Sequence, residues 1–147
     1  MGCIFCEFVS GERKIQLNGL PFLPLKETEN TVSFLSMDFP ENEDGHILVI
    51  PKKHYQFVEK IPKNIHHELN DHVISIIMAV RSYHGGCNIL LNDGKCAGQT
   101  VFHAHYHIVP RDSGDGIKIE VWKKKTVDEN EFRNIHNKLS KIIKSFG

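Results

Sequence analysis

His103-Ala104-His105-Tyr106-His107-Ile108-Val109 carries a histidine at every second position of an otherwise apolar run. Side chains of an extended strand alternate faces. The spacing therefore predicts His103, His105 and His107 on one face and Ala104, Tyr106 and Ile108 on the other. With about 3.3 Å of rise per residue, neighbouring imidazoles fall roughly 6.5–7 Å apart. Three readings accommodate such a face: a solvated strand surface, a metal site built on imidazoles at i and i+2, or nucleophilic catalysis. In the last, one imidazole attacks phosphorus and carries it as a phosphoramidate. A polar face left without a ligand beside a buried apolar one is costly, which weighs against the first reading. Phosphorus chemistry also needs donors for the phosphate oxygens. Gly98-Gln99-Thr100, just upstream, and Asn92, across the loop, begin to supply them.

Outward from this run, residues 99–109 are expected to form a strand. It would pair in a hairpin-like unit with a strand over 88–91, across the turn Asn92-Asp93-Gly94. Residues 31–35 are β-prone, and 46–50 read as a buried strand stopped by Pro51. A helix is expected from an Asn64 N-cap to about Tyr83. Its apolar positions Ile65, Leu69, Val73, Ile76, Ile77 and Val80 keep a helical period, and Gly85-Gly86 ends it. A second helix over 128–146 carries Phe132, Ile135, Leu139, Ile142 and Ile143 as its apolar stripe. Strands that meet mostly without intervening helices, plus two helices, predict an α+β fold on an antiparallel sheet.

The bulk composition narrows the function. At 147 residues the chain is the size of one domain, expected over 1–147, with no repeat, low-complexity tract or flexible linker. Basic and acidic residues both number 18, so the formal net charge is zero. A general affinity for nucleic acid or an anionic membrane would need a basic excess. No stretch reaches the roughly 20 apolar residues of a membrane span. The N-terminus lacks the pattern of a signal peptide, and Cys6 stands where myristoylation expects Ser or Thr. The expected location is cytoplasmic, where the four cysteines would be thiols or metal ligands rather than disulfides.

Residues 92–111, Asn-Asp-Gly-Lys-Cys-Ala-Gly-Gln-Thr-Val-Phe-His-Ala-His-Tyr-His-Ile-Val-Pro-Arg, resemble the signature of the histidine triad (HIT) family. That signature is His-φ-His-φ-His-φ-φ, with φ apolar, preceded by Gly-Gln-Ser/Thr. Residues 45–54, Gly-His-Ile-Leu-Val-Ile-Pro-Lys-Lys-His, resemble the family's strand before its main helix. Cys3-Ile4-Phe5-Cys6 is frequent in its bacterial-type members. The resemblance runs from residue 3 to about 122. It implies a HIT-like fold, an antiparallel sheet of about five strands with one long central helix and a C-terminal helix, and a homodimer.

The resemblance also implies a nucleotide hydrolase or transferase acting at the α-phosphate through a covalent nucleotidyl-histidine. Its substrates would be nucleoside phosphoramidates, adenylylated amines or dinucleoside polyphosphates. Carried over by position, His105 is the nucleophile, His107 binds the α-phosphate region, Gln99 bonds the bridging or leaving oxygen, and His46 supports the triad. Asn92, Gly98 and Thr100 fall among the substrate contacts, as do Ser36 and Met37. The family often reads Phe-Leu-Asp, with the aspartate on the ribose hydroxyls, where this chain has Phe34-Leu35-Ser36. A carboxylate grip is lost there, and Asp38 is the nearby substitute.

Cys3-x-x-Cys6 alone is ambiguous between metal and redox chemistry, and a thioredoxin-like reading wants a βαβ setting that the sequence lacks. The resemblance implies a structural zinc site completed by His54 and His103, with no metal required for the phosphoryl chemistry. Cys87 and Cys96 match no metal knuckle and read as plain thiols. His66, His67, His72, His84 and His136 read as solvated histidines. The run Lys123-Lys124-Lys125 reads as an exposed loop, and Trp122 as a residue packed over the active site or in a core or interface. Two other functions compete: a hydrolase or oxygenase using the three histidines as catalytic metal ligands, and a nucleotide-binding scaffold with little turnover.

Overall fold

The computed structural model describes residues 2–119 and 121–147. The chain groups into two compact units, Met1–Ile117 and Lys118–Gly147. The first contains α1 (Ile4–Ser10), β1 (Pro24–Glu27), β2 (Thr31–Leu35), β3 (Ile47–Pro51), α2 (Lys63–Arg81), β4 (Gly86–Leu91) and β5 (Tyr106–Arg111). The strands form one antiparallel sheet in the order β1-β2-β3-β5-β4. The fold is α+β with a five-stranded antiparallel sheet, as the sequence predicts.

Alternation along β3 assigns the two faces. Val49 turns to one side, where it joins Ile108 and the α2 residues Leu69, Val73, Ile76 and Val80 in a buried cluster. Leu48 and Ile50 turn to the other, where they meet Val32, Phe34 and the α1 aromatics Phe5 and Phe8. A short helix thus seals the face opposite α2. Its apolar residues Ile4, Phe5, Phe8 and Val9 recur at helical spacing, and Gly11 closes it at φ 81° with its N–H on the Phe8 carbonyl.

Four expectations are corrected. Of the residues expected in a strand over 99–109, only those from Tyr106 onward belong to one. β4 ends at Leu91, and the loop after it turns through Gly94 and Gly98, both at positive φ, so residues 99–105 meet no partner strand. Instead the Ala104 N–H donates to the Tyr55 carbonyl at 2.6 Å, and the His103 N–H to the Val101 carbonyl at 2.9 Å. Pro51 is the last residue of β3, paired with Thr31, rather than a stop before it. Asn64 is not a cap: α2 begins at Lys63 after Pro62, whose carbonyl accepts from the His66 N–H at 2.8 Å. Its end comes at Ser82, before Gly85-Gly86, because Gly86 already starts β4.

The second unit contains α3 (Glu129–Ser145), capped by Asp128, whose carboxylate accepts from the Glu131 N–H at 2.8 Å. Phe132, Ile135, Leu139 and Ile142 are exposed along it, and Trp122 is 68% exposed, which excludes the expected core position for that indole.

Candidate active site and metal centre

His103 and His105 leave the irregular segment before β5 in different directions, whereas His107 is held in the β5 ladder opposite Leu48 and Leu90. The bend brings the His105 and His107 rings to a centroid separation of 4.7 Å, closer than a regular strand allows. Both line a pocket with Gln16, Ser36, Asp38, His46 and Thr100 as its other polar members, and Met37 and the α1 aromatics on its apolar wall. Its volume is about 130 Å³, below the several hundred typical of ligand sites, so a nucleotide would lie only partly inside.

Each imidazole has a defined tautomer. His105 Nδ1 lies 2.7 Å from the His103 carbonyl, which can only accept, so Nδ1 carries the proton and Nε2 a lone pair. Likewise His46 Nδ1 donates to the Asp38 carbonyl at 2.7 Å. Its Nε2 therefore accepts from His107 Nδ1 at 2.8 Å, and the pair stacks at 5.1 Å. His107 Nε2 is left buried with no hydrogen-bond partner. Burial pushes His105 below the usual histidine range and His107 down to about 4, the neighbouring imidazoles adding to the effect on His107. Two bare lone pairs in one pocket, on rings held neutral, suit a nucleophile and a proton-sharing contact for an anion.

The other candidates distribute unevenly. The Ser36 hydroxyl is buried and accepts from the Asp38 N–H at 3.2 Å, while its own N–H donates to the His46 carbonyl at 2.8 Å. Gln99, 2% exposed, ties its own loop to the segment after β3: its Oε1 accepts from the Gly94 N–H at 2.9 Å and its Nε2 donates to the Gln56 carbonyl at 2.8 Å. The Asn92 amide lies beside Gly98, and neither they nor Gln99 line the pocket. The apolar wall was not foreseen, although the helical spacing of Phe5 and Phe8 was readable.

His103 faces away from the pocket. Its Nδ1 lies 3.4 Å from Cys3 Sγ and 3.6 Å from Cys6 Sγ, and Cys6 Sγ lies 3.5 Å from His54 Nδ1. All four donor atoms fall within 4.8 Å of one another and could hold a metal ion. A tetrahedral zinc with bonds of about 2.3 Å to sulfur and 2.0–2.1 Å to nitrogen sets sulfur–nitrogen edges of about 3.5 Å, so the donor set and spacings fit that ion. His103 Nε2 donates to the Pro51 carbonyl at 2.8 Å, which leaves Nδ1 free to ligate.

The HIT domain family matches residues 25–114. The chain belongs to the HIT family. It is 36% identical to the protein Hit of Bacillus subtilis, over 97% of this chain and 95% of that one. It is 30% identical to an adenosine 5′-monophosphoramidase of Candida albicans, over 96% and 91% of the two chains. Among solved structures, a zinc-bound histidine triad family protein of Mycobacterium smegmatis superposes with a TM-score of 0.69 at 32% identity, covering 99% of this chain and 98% of that one.

Two histidines of this HIT protein expected in solvent are elsewhere. His72 is 1% exposed, because it sits on the apolar stripe of α2 between Leu69 and Ile76 and bonds Thr31 and Ser33 of β2. His84 is half-buried, its Nδ1 between Asp112 at 2.7 Å and Glu43 at 3.3 Å.

Proposed function

We propose that this protein hydrolyses nucleotides at the α-phosphate through a covalent intermediate on His105. Nucleoside phosphoramidates are the favoured substrates, with adenylylated amines and dinucleoside polyphosphates of the same class. The observation that carries this is the free lone pair on Nε2 of the buried residue His105, set by the 2.7 Å bond from Nδ1 to the His103 carbonyl, beside the buried and unpartnered His107 Nε2. Nε2 attacks phosphorus, the bond to the amine breaks, and the amine leaves with a proton. Water then cleaves the phosphorus–nitrogen bond, freeing the nucleoside monophosphate and His105. His46 and His107 form the path along which a proton is shared with the leaving group or phosphate. Ser36, Met37, Asp38 and Thr100 face the substrate. Gln99 positions the loop that carries Thr100, with Asn92 and Gly98 beside it. The similarity to an adenosine 5′-monophosphoramidase supports the substrate class.

Cys3, Cys6, His54 and His103 hold a structural zinc. It ties the start of α1 to the segment before β5, and no step of the reaction passes through it. The protein acts as a cytoplasmic homodimer. Incubation with an adenosine phosphoramidate followed by rapid quench and intact-mass measurement tests the mechanism. An adduct of one AMP per chain is expected, absent in His105→Ala. Turnover in His105→Ala, or turnover without any adduct in the intact protein, overturns it.

A further inference from the structure

Cys3 and Cys6 combine partial solvent access with the close spacing common to zinc-binding cysteine pairs. Both are only half-buried, and they lie three residues apart at the start of α1, where Cys3 is the extended residue before the first turn. Residues at that separation are neighbours on a helix, and the two sulfurs already share His103 Nδ1, so disulfide geometry is within reach of small side-chain rotations. Cys87 and Cys96 have no such partner in the cluster.

His103 joins these thiols to the pocket. Its Nδ1 faces the sulfurs, and its carbonyl fixes the His105 tautomer at 2.7 Å. α1 carries Phe5, whose ring meets the rings of both His103 and His105 edge-on, at 5.7 and 5.2 Å. Phe8 on the same helix lines the pocket. The two cysteine donors of the cage and the aromatic wall of the nucleotide site thus belong to one short helix and the residue before it.

We propose that Cys3 and Cys6 form a reversible oxidative modification site, at which a hydroperoxide closes them into a disulfide and thereby weakens nucleotide binding. This rests on the metal-site and nucleotide readings above. One thiolate attacks the peroxide, giving a sulfenic acid and releasing hydroxide or an alcohol. The other thiolate attacks that sulfur, expels hydroxide and closes the disulfide. Two thiols and one hydrogen peroxide become one disulfide and two waters. His54 and His103 alone are too few donors for a tetrahedral site, so the metal leaves. His103 then loses its Nδ1 partner, and α1 is released from it.

The test uses the full chain carrying Cys87→Ser and Cys96→Ser, so that only the two thiols in question remain. Bound metal and AMP affinity are measured first on the reduced protein. Absence of either there overturns the readings beneath, and the proposal with them. The metal-loaded protein is then treated with stoichiometric hydrogen peroxide. The expected result is a mass loss of about 2 Da mapped to a Cys3–Cys6 linked peptide. Release of the metal and AMP binding weaker by about tenfold or more should accompany it, both reversed by dithiothreitol with added zinc. Adding Cys6→Ser should remove the 2 Da loss. Oxidation to sulfinic acid in place of the disulfide, or a disulfide with unchanged AMP affinity, overturns the switch while leaving the metal and nucleotide readings standing.

Discussion

His46 and His107 are a pair whose chemistry depends on direction. The Asp38 carbonyl forces the His46 proton onto Nδ1, which makes Nε2 the acceptor and His107 Nδ1 the donor. His107 Nε2 therefore meets the pocket as a lone pair that can take up a proton when an anion arrives and donate it back. His46→Ala removes the acceptor and frees the His107 tautomer. Steady-state kinetics with an adenosine phosphoramidate should show kcat reduced by about 10²-fold, with a smaller change in AMP affinity. An unchanged kcat would remove His46 from the mechanism. His105→Ala should cost about 10⁴-fold or more in kcat, because the reaction then loses the imidazole that attacks phosphorus. At this scale the sequence was readable where chemistry repeats at short range: the alternating histidines and Gly98-Gln99-Thr100 named the neighbourhood. The alternation alone set His103 on the face of His105 and His107, and only the family resemblance turned it to the cysteines. The turn depends on residues 99–105 finding no strand to pair with, a fact about β4 and not about the histidines.

α2 shows how an element hides a polar residue. Leu69, His72, Val73, Ile76 and Val80 are its buried residues, so His72 occupies the helix stripe that packs on the sheet. The stripe was legible, but its histidine was not, because solvation is the usual state of a helical imidazole and its partners, Thr31 and Ser33, lie about forty residues upstream in β2. Burial pushes His72 down to about 4, with Lys26 adding to the effect. The folded pKa lies below the unfolded one, so the folded state binds fewer protons. The contribution to stability is therefore complete above about pH 6.5 and is lost as the pH falls toward 4. Urea unfolding of the intact protein and His72→Gln at pH 7 and pH 4.5 checks this. The variant should lose less stability between the two pH values, by about 1–2 kcal/mol. Equal losses would show that His72 does not titrate on unfolding. β1 was unreadable for the opposite reason: every residue of it is exposed, so no alternation marks it.

The first unit as a whole is closed on one side and open on the other. On the closed side, Cys3, Cys6, His54 and His103 gather where α1 meets the segment before β5, and removing the proposed metal with a chelator should lower the thermal midpoint reversibly. On the open side, the sheet ends in two different edges. β1 is short, starts with Pro24 and carries Lys26 and Glu27, all features that discourage pairing. β4, Gly-Cys-Asn-Ile-Leu-Leu, is longer, uncharged and paired only with β5 among the described residues, and Ile89 on it is 43% exposed. α2, packed on the same sheet, exposes Ile74 and Met78. A neutral strand edge beside exposed apolar helix residues is a template for a second sheet, which gives the proposed homodimer a physical location. Sedimentation equilibrium should find a two-chain species, and Ile89→Lys, which sets a charge on that edge in each copy, should shift it toward a single chain without loss of helix signal. A wild-type protein that sediments as one chain at micromolar concentration overturns the dimer. A dimer indifferent to Ile89→Lys moves the interface away from β4.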